Sequence, residues 1–446
     1  PTTTNAQELV DDSGRVLNPS LLIGLRQGPP PATISASGLY TNTSAQQLAP
    51  GIIPYSVNSQ LWSDGAIKTR FLALPAEAQI EFSPNGNWVF PENTVLVKNF
   101  YLERTTGDPA TRQLVETRFL IQGGPVMGWR GFSYSWNDEV SDADLLPTGA
   151  IRQYSIEHAD GDSVQQLDYQ FPAPEDCQRC HTVGSGEVLG LRTAQLNSHA
   201  DSTNQLATLS ELGVFTRNIG NDFSAMPRWV NPRDRAAPVA ARARSYLATN
   251  CSHCHRPGGL RRTDIDLRHD TPLLDMGIVD QESTLDDLDG VERRILRPGD
   301  AANSVLVLRT LARDERRMPP LATAVIDTYG ARLLSRWVEE LGQPTSITLA
   351  PVMDASPLLS RAFPNPFNGA TTIAYTVTGP ADVSLVVFDV LGRMIRTLVT
   401  GGQVSGRHEV IWDGQDDDNQ PVASGVYLYR LVAGSDQQTL RMVHLK

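Results

Sequence analysis

The feature that most limits what this chain can fold into is one five-residue pattern used twice: Cys177-Gln178-Arg179-Cys180-His181 and Cys251-Ser252-His253-Cys254-His255. The two copies use all four cysteines, so none is left for a structural disulfide. Cys-x-x-Cys-His is the attachment signature of a c-type haem, and the chemistry needs that spacing. Two thiols on one helical turn can add to the two vinyl groups of a haem. The adjacent His then lies beneath the iron, its ring orientation set by a hydrogen bond at its other nitrogen. Cys177, Cys180, Cys251 and Cys254 are accordingly assigned to thioethers and His181 and His255 to iron, which makes two covalent haems per chain. His253 reads as a solvent-facing filler. A zinc ribbon normally separates its two CxxC pairs by about 15–20 residues, whereas some seventy intervene here. A thioredoxin-like redox pair needs a βαβ context that neither site has.

The surroundings of the second motif predict a helix over about 236–249, with Val239, Ala243, Tyr246 and Leu247 on one stripe. Downstream come Met318-Pro319-Pro320 and a second amphipathic helix carrying Val325, Tyr329, Leu333, Leu334, Trp337, Val338 and Leu341. This order resembles a class I cytochrome c domain, and the resemblance implies Met318 as the distal ligand, a thioether that raises the potential. Before the first motif, Phe171-Pro172-Ala173-Pro174-Glu175-Asp176 predicts no helical turn. After it, Leu206, Leu209 and Leu212 predict a short helix ending at Gly213. So short a segment cannot wrap a porphyrin alone and must lean on its neighbours. Its sixth ligand stays open between Met226, which repeats the Met-Pro pairing, His199, His158 from the β-rich region, and an open or other-ligated site. A buried core Met is the ordinary alternative for Met226.

The length of 446 residues suggests about three domains, and the expected class is multidomain α+β. Residues 1–45, polar and rich in Pro, Thr and Ser, read as an extended arm that packs over other domains or neighbours, with little core of its own. Residues 46–172 read as an all-β domain of short strands, including 67–74, 79–82, 88–90, 94–101 and 115–120. Its clustered Trp129, Phe132, Tyr134 and Trp136 read as core and rim rather than as a carbohydrate platform. The first haem segment is 173–228, the cytochrome c-like domain 229–345 and the linker 346–362. Residues 363–446 read as an Ig-like β-sandwich of six strands. A net charge of −12 argues against nucleic acid and anionic membrane surfaces. No run approaches the ~18 apolar residues of a membrane span. No signal peptide is visible at Pro1, yet c-type haem is attached outside the cytoplasm, so a processed chain is expected.

Two further resemblances follow from longer stretches. Tyr55-Ser56-Val57-Asn58-Ser59-Gln60-Leu61-Trp62-Ser63-Asp64, Phe90-Pro91, Thr94 to Lys98, Glu116-Thr117-Arg118, the two haem motifs, Gln195-Leu196-Asn197 and Met318-Pro319-Pro320 together resemble a family of exported bacterial di-haem proteins, a family whose name gives no reaction. Phe363-Pro364-Asn365-Pro366-Phe367-Asn368, Val387 to Arg393 and Ala423-Ser424-Gly425-Val426-Tyr427 resemble the C-terminal sorting domain of type IX secretion cargo in Bacteroidota-like bacteria. That resemblance implies a location outside the cell or on the outer surface of a Gram-negative-type bacterium.

The sequence therefore leads to an extracellular di-haem c-type cytochrome passing electrons to redox partner proteins or extracellular acceptors. Two other classes stay open: a di-haem peroxidase-like enzyme, which needs one iron with a displaceable sixth ligand, and a subunit of a cytochrome filament. In the filament the 1–45 arm of one copy would pair with a sandwich edge of the next.

Overall fold

The structure is a computed structural model that describes residues 29–75, 78–159, 163–200, 203–259, 264–283, 294–342, 359–360, 362–377, 379–390, 392–434 and 436–445, without the side chains of residues 199, 200 and 203. The chain divides into two compact units, Pro1–Gln343 and Pro344–Lys446. Strands predominate over helices in the element order, and no helix among the described residues is long and apolar enough to cross a membrane.

The first unit is built on a six-stranded antiparallel sheet: β3 (Ile53–Tyr55), β4 (Ile67–Ala73), β5 (Val95–Glu103), β6 (Arg112–Gln122), β7 (Trp129–Trp136) and β8 (Ala143–Leu146), adjacent in that order. Alternation along β4 to β7 gives the sheet two different faces. Val95, Val97, Phe119, Ile121, Tyr134 and Trp136 lie in one core cluster together with Ile34, Leu39 and Tyr40. Residues 29–45 contribute fully buried Ile34 and Leu39 and the strand β1 (Tyr40–Asn42), which pairs with β2 (Gln47–Leu48) just beyond them. Apolar side chains spaced through a polar stretch were enough to hold it on the sheet. Residues 1–28 of the expected arm lie outside the described residues.

The other face is covered at its two ends. Leu72, Leu96 and Trp129 join Leu191, Leu196, Leu206, Leu209 and Leu212, so the first motif's segment shares a core with the sheet. At the opposite end Phe100 packs with Tyr154, Leu167, Tyr169 and Phe171 of the hairpin β9 (Ala150–Glu157) and β10 (Val164–Phe171). The stretches 79–82 and 88–90 form isolated bridges, not strands. A five-residue helix, Pro174–Gln178, does precede the first motif's second cysteine. Pro174 sits in its first turn, where the missing N–H has no intrahelical partner to lose, and the Asp176 carboxylate accepts the Ala173 N–H at 3.1 Å. The proline argument against a turn was therefore misplaced by position.

Around the second motif the helices Val239–Asn250 and Thr328–Leu341 pack together through buried Ala243, Leu247, Leu334 and Val338. Between them lies a shorter helix, Val305–Leu311. A strap at 56–64 ties these parts to the sheet. Ser59 exchanges hydrogen bonds with the Gln195 side chain at 2.8 and 2.9 Å, and its hydroxyl donates to the Ser245 carbonyl. The Trp62 N–H donates to Asn250 at 2.8 Å, and Asp64 accepts the Val325 N–H at 2.9 Å.

The second unit has the sandwich expected at 363–446. β13 (Thr371–Val377) pairs with β16 (Gly406–Trp412), facing a sheet of β15 (Met394–Gln403), β14 (Ala381–Asp389), β17 (Gly425–Ala433) and β18 (Asp436–His444). Leu359 and Ala362 are buried in its core, so the sandwich begins inside the expected 346–362 linker. Back in the first unit, β11 (His199–Ala200) and β12 (Thr203–Asn204) pair as a short hairpin.

Candidate functional site

Each Cys-x-x-Cys-His run closes on itself as one turn. The N–H groups of Cys180 and His181 donate to the Cys177 carbonyl at 3.2 and 2.9 Å, and those of Cys254 and His255 to the Cys251 carbonyl at 3.1 and 3.0 Å. Cys177 rests on β7 at Gly131, where any side chain would collide: an added Cβ would stand 2.7 Å from Cys177 Cβ and closer still to its Sγ. Gln178 Nε2 donates to the Trp129 carbonyl at 2.7 Å and fixes the same turn to the same strand.

His181 Nδ1 lies 2.5 Å from the Glu187 carbonyl oxygen. With Nδ1 as the donor, Nε2 keeps its lone pair, the tautomer a metal ligand requires. Burial, against the opposing effect of that hydrogen bond, lowers the ring's pKa to about 4, so it is neutral across the physiological range. Burial raises Cys177 and pushes Cys251 up to about 12, which keeps both as thiols.

The two runs meet. Donor atoms of Cys180, His253 and Cys254 all lie within 4.8 Å of one another. Arg256 Nη1 donates to the Ser185 carbonyl at 3.2 Å, so the loop after each motif touches the other. The hydrogen bond from Cys180 holds the Cys254 thiol well below its ordinary value and Cys180 correspondingly up, with His253 adding to the effect on Cys254. His253 is 8% exposed, which corrects its assignment to solvent. Linear separation hid this convergence, because the strap and the sheet bring the two segments together.

The remaining predicted ligands are dispersed. Met318 is half-buried after the Val305–Leu311 helix, its N–H on the Arg309 carbonyl at 2.9 Å. Met226 packs against the core shared by the sheet and the first motif's segment. His158 is exposed near the end of β9, and the His199 backbone lies in β11 while its side chain is outside the described residues. None of these joins either motif through a hydrogen bond among the described residues. What the motifs supply is therefore two thiols and an imidazole on one turn, twice. At their meeting point they also supply two thiols and an imidazole from separate loops, a donor set that suits zinc.

A family model, the FlgD Ig-like domain, matches residues 364–437. No curated protein matches the chain. Among solved structures, latent PorU from Porphyromonas gingivalis shares 20% identity over 20% of this chain and 9% of its own, with a TM-score of 0.17. PorZ, a surface component of the type-IX secretion system of the same organism, shares 26% identity over 19% of this chain and 11% of its own, TM-score 0.16. FlgD from P. aeruginosa shares 18% identity over 20% of this chain and 74% of its own, TM-score 0.15. The chain thus spans about a tenth of PorU and of PorZ. The C-terminal unit is Ig-like.

Proposed function

We propose that this protein is a di-haem c-type cytochrome that transfers electrons at or outside the cell surface. The observation that carries the reading is the meeting of two complete attachment motifs, with Cys180 and Cys254 beside each other. A c-type haem supplies a one-electron iron couple when bound. The chain's part is to tether one group through Cys177 and Cys180 and a second through Cys251 and Cys254, side by side. His181 presents Nε2 because Glu187 holds its Nδ1–H, and Gly131 admits Cys177 against the sheet. Export rests on the sorting-domain motifs and on where c-type haem is attached; redox proteins or extracellular acceptors are the partners.

Denaturing mass spectrometry of the native protein tests this: polypeptide plus two haem masses is expected. A second reading, a zinc site at Cys180, His253 and Cys254, has its own support in the 4.8 Å grouping. It predicts the bare polypeptide mass with bound zinc lost to chelators.

For the second haem, the cytochrome c-like order points to Met318 as the residue that would hold the iron through its thioether. The oxidised protein should then show the weak near-infrared thioether-to-iron band, and Met318→Ala should abolish it. Persistence of the band in the variant would remove Met318 from the assignment.

A further inference from the structure

On the sheet face that carries Cys177, the register places Arg70 opposite Lys98, Lys98 opposite Arg118 and Arg118 opposite Ser133. Three cations thus stand directly across from one another on three adjacent strands, an arrangement that is repulsive on its own. Lys68 lies two residues from Arg70 on the same face. Lys68 and Arg70 are buried, and Lys98 and Arg118 are half-buried. The Nζ atoms of Lys68 and Lys98 and the guanidinium of Arg118 gather around the Phe100 ring, 5.7, 5.3 and 4.2 Å from its centre.

The chain's own acids do not balance the row. Glu116 is engaged in a two-pronged pair with Arg118 at 2.7 and 2.9 Å and accepts the Tyr169 hydroxyl at 2.7 Å. Asp64 acts on Lys68 and accepts the Val325 N–H. Lys68 Nζ donates to the Ala66 carbonyl at 2.6 Å. Among the described residues Arg70 and Lys98 have neither an ion pair nor a side-chain hydrogen bond. Four cations therefore face two carboxylates. Buried charge is tolerated when it is paired, so the site asks for an anion with two negative charges.

Its position says which one. Gly131, beneath Cys177, is the cross-strand partner of Leu120 and lies two residues from Ser133 on β7. Arg118, Lys98 and Arg70 therefore have backbone positions about 8 to 16 Å from Gly131 along and across the sheet. That range brackets a porphyrin with its propionate arms. Apolar clusters close both ends of the face, and the cations lie between them.

We infer that Lys68, Arg70, Lys98 and Arg118 form the binding site for the two propionate carboxylates of the haem attached at Cys177–His181. This rests on the di-haem reading. Other titratable groups acting on the row are Tyr55, Asp64, Glu116, Tyr169, Cys177 and His181. Burial and the neighbouring guanidinium groups push Lys68 down to about 7, the effect expected of a cation held among cations.

The test uses the full-length protein with Arg70→Gln, Lys98→Met and Lys98→Arg, haem content first checked by mass. Midpoint potentials are then titrated between about pH 5 and 9. A nearby cation favours the reduced iron and keeps the propionates ionised. In Arg70→Gln and Lys98→Met one couple should fall, more than the other does, and become pH-dependent. Lys98→Arg should keep the native values. Varying inorganic phosphate or sulfate at fixed ionic strength should leave the native potentials unchanged. Unaltered potentials, or an equal shift of both couples, overturn the inference while the di-haem reading stands. A native potential that follows phosphate, and ceases to in Lys98→Met, assigns the site to a free inorganic anion and overturns it too. Native protein with no haem mass overturns the di-haem reading itself, and the inference with it.

Discussion

A chain with both Cys177→Ser and Cys180→Ser should carry one haem mass, and so should a chain with both Cys251→Ser and Cys254→Ser. Each double change removes the two sulfurs of one motif and leaves the other turn, with its own carbonyl–amide closure, intact. Serine keeps the size and the local hydrogen bonding but cannot form the thioether. Covalent loading should therefore drop from two to one in either variant, with the remaining group at the untouched motif. The zinc reading predicts something different. The first variant removes Cys180 and the second removes Cys254, so each leaves two of the three grouped donors, too few for a structural tetrahedral site. Under that reading both variants lose metal, and neither haem mass is ever present. Peptide mapping after digestion assigns the surviving adduct to 177–181 or 251–255. If removing one pair eliminates both adducts, the motifs do not load independently, and the two-site assignment must be given up.

What the sequence made legible follows from the range of the signals. The helices about Val239–Asn250 and Thr328–Leu341 and the six sandwich strands were readable because their apolar spacing is local and periodic. Which domain residues 29–45 cover was not readable, because Ile34 and Leu39 are isolated apolar residues in a polar stretch and only the sheet shows what they pack on. The helix at Pro174 was missed because a proline argues against a turn everywhere except at its start. The meeting of Cys180 with Cys254 depends on Ser59, Gln195, Trp62 and Asn250, a tertiary network between segments far apart in the chain. The cation row was in view as alternation in Ile67-Lys68-Thr69-Arg70. Alternate charges on a strand ordinarily mark a solvent face, and only the covering clusters show that this face is an interior one.

Trp412→Ala should lower the thermal transition of the C-terminal unit while leaving the first unit's thermal transition and visible absorption unchanged. Trp412 is fully buried at the end of β16, with Phe367 and Tyr427 rings 5.5 and 5.2 Å away and its indole N–H on the Gln415 carbonyl at 2.8 Å. Truncating such a residue costs about 3–5 kcal/mol. A small domain has only about 5–15 kcal/mol in total, and each kcal/mol shifts the midpoint of a domain this size by about 4–8 °C. The sandwich transition should therefore fall by roughly 12–40 °C in calorimetry. The division of the chain into two compact units predicts that the fall is confined to one transition. All four cysteines lie in the first unit, so under the proposed di-haem reading the haem spectrum would report on that unit alone and give a second, optical check. A sandwich that serves attachment or assembly gives this separation, and the variant should change particle size or cell association without touching the potentials. If the first unit's transition or the haem ligation moves with Trp412, the sandwich belongs to the redox core and the division of labour between the units is wrong.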